Sequence, residues 1–157
     1  IDDYNSVGIA MDIGGLMKFS RGRGSVGFQA KNLGFQLKGF TEQHKDPLPV
    51  LAQLGGNWNP KGLPLKLYGE VEKSLGDPFV FKVGTSIKGL DPLMAELGYT
   101  VRQKVEGEAF KDDEKYNGLS FGAGLKLEEK NLLFHYAYSS YGLLGATHKI
   151  SISFNRL

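Results

Sequence analysis

The chain has 157 residues, no cysteine, 22 glycines and a formal net charge of +2. That length suits one domain, spanning 1–157, and the missing cysteine excludes a disulfide framework and thiolate metal sites. The near-balance of charge offers no basic excess, so no nucleic-acid partner is expected. No stretch approaches the roughly eighteen apolar residues of a transmembrane helix. A membrane β-barrel survives that test, because half of its strand residues face water. The chain opens on Ile1 and shows no basic-then-apolar leader. A mature, cleaved or partial polypeptide is therefore expected, partial first among the three.

Nine strand segments and no helix are expected along the chain. The first covers 6–19, with Val7, Ile9, Met11 and Ile13 on one face. The second runs from near 23 to about 38, where Val26, Phe28 and Ala30 alternate with Ser25, Gly27, Gln29 and Lys31. The third is 50–59. The fourth, 65–74, sets Leu65, Leu67 and Val71 against Lys66, Tyr68, Glu70 and Glu72. The fifth, 79–88, sets Phe79, Phe81, Val83 and Ile87 against Lys82, Gly84 and Ser86. The sixth is 93–103 and the seventh, rich in glycine, 117–127. The eighth, 132–139, alternates Phe134, Tyr136 and Tyr138 with His135 and Ala137. The ninth, 147–154, alternates Ile150, Ile152 and Phe154 with Ser151 and Ser153. Period-two alternation over about ten residues marks an antiparallel sheet with two different faces, and matches a tilted strand crossing a bilayer.

The connections divide by length. Short ones fall at 20–22, 60–64, 89–92 and 128–130, and longer ones at 40–49, 104–117 and 140–146; the link around Asp77-Pro78 is intermediate. In an up-and-down sheet all the short links share one end, as the periplasmic turns of an outer-membrane barrel do. Nine is odd, whereas single-chain bacterial barrels use even numbers, so strands are expected to be missing at the N-terminal side. The aromatic residues Tyr99, Phe134, Tyr136, Tyr138 and Phe154 fit interfacial girdles or a sandwich core. Glycines at 14, 15, 55, 56, 122 and 124 favour the barrel, since glycine lets strands bend and weakens a dry core.

Residues 118–126 (Gly-Leu-Ser-Phe-Gly-Ala-Gly-Leu-Lys), then His135-Tyr136-Ala137-Tyr138-Ser139, then Leu144-Gly145-Ala146-Thr147-His148-Lys149-Ile150-Ser151, resemble the C-terminal half of the PorV/PorQ family of outer-membrane β-barrel proteins. His135 and Lys149 depart from the Asp and Arg usual there. Lys31-Asn32-Leu33-Gly34 and Asp46-Pro47-Leu48-Pro49 are similar to further family landmarks. The resemblance implies an antiparallel up-and-down transmembrane barrel of about fourteen strands, related to the FadL transporters, with about nine present here. It implies residence in the bacterial outer membrane, contact with its lipid, and binding of secreted or surface-attachment partner proteins. Its best-known members belong to the type IX secretion system.

Chemistry is sparse. Gly22-Arg23-Gly24-Ser25-Val26-Gly27 fits G-x-G-x-x-G, but an alternating strand follows where a dinucleotide fold needs a helix, so a hairpin is expected. His44, His135 and His148 are the only histidines and none has a ligand partner at metal spacing. No Gly-x-Ser-x-Gly elbow occurs. No enzyme, cofactor or metal site is expected. Lys66, Glu70, Glu72, Lys82 and Lys126 are expected in the lumen, paired with one another or lining a polar path. Partner contacts are expected on the longer loops, at His44, Tyr141, Leu143 and Leu144, because apolar loop tips need a reason. Two other readings stay open: a FadL-like channel for hydrophobic solutes, with an apolar pocket or kinked strand, and a soluble or assembly-forming structural β-sandwich burying Ile150, Ile152 and Phe154.

Overall fold

The computed structural model describes residues 6–39, 47–103, 117–127, 131–142 and 145–154. They form nine strands: β1 (Val7–Phe19), β2 (Gly24–Lys38), β3 (Leu51–Trp58), β4 (Leu65–Ser74), β5 (Val80–Ile87), β6 (Leu93–Arg102), β7 (Leu119–Leu127), β8 (Leu132–Ser140) and β9 (Ala146–Phe154). Each strand is hydrogen-bonded only to its neighbours in sequence, giving one antiparallel sheet in the order β1 to β9. No α-helix occurs among the described residues. Every expected strand is present, and β4 has the expected limits, because the alternation that marks a strand also fixes which residues face which way. The glycine-rich segment after residue 22 is strand, preceded by a 3-10 turn at Ser20–Gly22.

Register carries the alternation across the whole sheet. One ladder row reads Met17, Val26, Gly56, Gly69, Val83, Tyr99, Leu119. An adjacent row, on the opposite face, reads Ser25, Asn57, Tyr68, Gly84, Gly98, Ser120, Ser139, Thr147. Directly paired residues share a face, so one side of the sheet is apolar and the other polar. The apolar side is the more open: Val83 is 59% exposed, Leu54 52% and Ile150 80%, and no hydrophobic residue among those described is buried. In β5, Phe81, Val83 and Ile87 are exposed while Lys82, Gly84 and Ser86 are half-buried. A water-soluble sheet shows the reverse order.

The sheet curls around its polar face. A hollow of about 940 Å³ is lined by residues from every strand between β1 and β8, including Leu16 and Ser139. In a flat sheet, strands seven spacings apart lie about 34 Å from each other, so only curvature brings both residues to one hollow. The strands are also staggered. The row from Phe19, the last residue of β1, runs through Trp58, Leu67, Leu97, Phe121 and Tyr138 to His148, near the start of β9. β7 continues past that row from Phe121 to Leu127. Such an offset tilts the strands by roughly 30° from the curl axis, close to the tilt of barrels. The outer edges of β1 and β9 carry no partner strand among the described residues.

β1 and β2 are longer than the others, at 13 and 15 residues against 8 to 10. Their register shifts between Met11 and Ile13. There Asn32 adopts φ +57°, its amide donates to Asp12 Oδ1 at 2.8 Å, and its side chain donates to the Pro49 carbonyl at 2.9 Å. Asparagine tolerates this left-handed bulge better than most residues do.

One connection differs from expectation. The link between β8 and β9 spans only 141–145, within the range of the turns at the other end, which run from 20–23 to 59–64. The Tyr141 amide donates to the Gly145 carbonyl at 2.8 Å, and the Gly145 amide to the Gly142 carbonyl at 2.9 Å. Both glycines have positive φ, which lets the ladder close early.

Candidate functional site

The concave face carries the chemistry. β4 places Glu70 and Glu72 two residues apart, so both point into the hollow. β5 sets Lys82 directly opposite Glu70. The Lys82 ammonium lies 2.9 Å from Glu70 Oε1 and 2.7 Å from Glu72 Oε2. On β3, Gln53 faces Glu72 and donates to its Oε2 at 3.1 Å. One cation thus ties two carboxylates that would otherwise repel. These side chains keep between 22% and 40% of their surface exposed, so each pair contributes only about 0–1 kcal/mol. The expected pairing of Glu70, Glu72 and Lys82 is present, on the concave face of the sheet. Lys66 instead sets its ammonium 5.0 Å from the Tyr68 ring centre, and Lys126 shares the concave face opposite Leu133.

A second pair crosses a strand. Glu96 on β6 and His135 on β8 are separated by β7, yet His135 Nε2 approaches Glu96 Oε2 to 3.4 Å. Gly122 of β7 lies beneath them: a Cβ there would meet His135 Nε2 at 3.1 Å and Glu96 Oε2 at 3.2 Å. A side chain at 122 would therefore force the pair apart. His135 faces away from the aromatic stripe, as the alternation implied.

On the convex face, Phe121 stacks on Tyr138 at 4.9 Å, and His148 meets the Tyr138 ring edge-on at 5.3 Å. Tyr136 Oη and His148 Nδ1 are 2.8 Å apart. His148 thus joins an aromatic cluster that the sequence reading did not assemble. The signal was present, since His148 shares the parity of Ile150, Ile152 and Phe154. Gln53 and Glu96 were also missed. Alternation assigns a residue to a face, but cross-strand register decides which residues meet there.

Of the expected partner-binding residues, Tyr141 is exposed, at the tight turn between β8 and β9. His44, Leu143 and Leu144 lie outside the described residues. Tyr141 is thus the one of the four that the described residues place. Comparison with protein-family models, curated proteins and solved structures finds no match in any of the three.

Proposed function

We propose that this chain is a non-enzymatic bacterial outer-membrane β-barrel protein of the PorV/PorQ type. Its convex face meets lipid, its concave face lines the lumen, and its longer connections bind secreted or surface partner proteins, type IX secretion being the setting of the family's best-known members. The observation that carries the barrel is the inverted sheet: apolar residues point outward and are more exposed than the polar residues lining the hollow. A continuous apolar surface of this extent marks an interaction or membrane site. The ten residues of β4 at about 3.3 Å rise and the roughly 30° tilt of this sheet span about 29 Å, enough to cover a barrel's apolar band of about 25 Å. The partner-binding role rests on the family resemblance.

The hydrophobic-channel reading draws support from the bend at Asn32. It calls for an apolar pocket, whereas the hollow is mixed: Gln53, Glu70 and Lys82 line it together with Leu16, Phe28 and Leu97. A sandwich needs a second layer over the apolar face, and the described strands form one sheet.

The test is a heat-modifiability gel on native envelope material, run boiled and unboiled, with intact-mass measurement. A detergent-extracted band that shifts on boiling, with a mass above 17.2 kDa, is expected. A species of that mass that stays soluble without detergent and does not shift would end the membrane reading. Partner capture with Leu143→Ser/Leu144→Ser tests the loop role: loss of capture with assembly intact is expected, and unchanged capture removes that turn from the partner site.

A further inference from the structure

The two ends of the sheet differ in charge. Three described turns join strands at the short-turn end, and they carry Arg21 and Arg23, Lys61, and Lys88, all exposed. Asp91 is the acidic residue among them. Glu128 and Glu129 of the fourth turn lie outside the described residues, so the rim is drawn over the first three. At the other end, Asp77 is the charged residue among the described residues of the connections, and it is acidic.

The basic turns form one continuous edge. The Asn59 amide donates to the Arg23 carbonyl at 2.8 Å, and the Lys88 amide to the Pro64 carbonyl at 2.7 Å. These bonds extend the ladder past the strand ends and hold neighbouring turns side by side. The edge also abuts the apolar face. Phe19 and Trp58 lie in one row at the last residues of β1 and β3, on the convex side, and both are exposed. Moving along the convex surface of β1 and β3, apolar side chains give way to the aromatic pair Phe19 and Trp58 and then to cations. That is the order of a bilayer from acyl chains through interface to headgroup phosphates.

We infer that Arg21, Arg23, Lys61 and Lys88 form a rim that binds the phosphates of anionic phospholipids in the leaflet facing the short turns. The inference rests on the membrane reading above and adds a lipid preference to it. Guanidinium and ammonium groups donate to phosphate oxygens, and four cations on a held edge recruit anionic headgroups over zwitterionic ones.

Trp58 reports on this edge directly. The full-length protein is reconstituted into phosphatidylcholine vesicles containing equal fractions of phosphatidylglycerol, with either lipid brominated on its acyl chains. Quenching is taken as the part lost in Trp58→Phe. Brominated phosphatidylglycerol is expected to quench about threefold more than brominated phosphatidylcholine, with the excess falling as salt rises. The excess should vanish in the quadruple variant Arg21→Gln/Arg23→Gln/Lys61→Gln/Lys88→Gln. Equal quenching by the two lipids overturns the rim and leaves the barrel standing. A preference that survives both high salt and the four substitutions also overturns it. Quenching by neither lipid removes the lipid-facing surface itself, and the rim with it.

Discussion

The two faces of this sheet share every backbone hydrogen bond and differ only in side chains, yet they follow opposite rules. On the convex face, large apolar residues stand open, and contacts are aromatic stacks such as Phe121 on Tyr138. On the concave face, polar groups pair across strands, and glycine or serine fills the positions between them, as in the row Gly84, Gly98, Ser120, Ser139. In water the convex face forfeits the burial free energy that normally stabilises a sheet, about 1.5–3 kcal/mol for each large apolar side chain. On the membrane reading proposed above, the difference teaches that what stabilises this fold on one side is supplied by its surroundings. The charge pairs on the other side contribute little, and their job is to fill and orient the hollow.

The sharpest break in this comparison is a charge on each face. Val83→Arg, in the middle of the convex face, should cost about 2–4 kcal/mol in bilayer-reconstituted protein, read by denaturant titration in vesicles. Ser120→Arg, pointing into the hollow, should cost under about 1 kcal/mol in the same assay. Equal costs would mean that the faces share one environment. Next comes Gly122→Leu, which places a side chain where His135 and Glu96 meet. It should lower stability by about 1–2 kcal/mol, while the same change in a His135→Ala background should cost less, because the clash is gone. Lys82→Met should cost about 0.5–1 kcal/mol by leaving Glu70 and Glu72 opposed, and adding Glu72→Gln should recover most of the loss. The smallest effect is expected from Tyr136→Phe. It removes the bond to His148 and should change stability by about 0.5 kcal/mol, with the barrel's heat shift intact.

Much of the fold was legible because alternation is a local signal. Val26, Phe28 and Ala30, or Phe81, Val83 and Ile87, declare a shared face within a few residues. The direction of curl was not legible. Alternation reads the same whichever way the sheet bends, and which face is concave emerges only once all nine strands are in register. The site was partly legible. Glu70, Glu72 and Lys82 were expected on the inner face from their parity. Their pairing with Gln53, and the bridge from Glu96 to His135 over Gly122, depend on register set by turn length. The early closure of 141–145 was missed because the expectation rested on the length of 140–146, whereas the positive φ values of Gly142 and Gly145 tighten the turn.

The central claim is that the convex face meets lipid and the concave face meets water. This chain contains no cysteine, so single cysteines placed in turn from Val80 to Ile87, in a cysteine-free version of the full protein, test it most directly. After reconstitution each is challenged with a membrane-impermeant maleimide, with denaturant-opened samples as the reference for full labelling. The account predicts a two-residue period, with positions 82, 84 and 86 modified and positions 81, 83 and 87 protected. Labelling that shows no alternation, or that favours 81, 83 and 87, would contradict it.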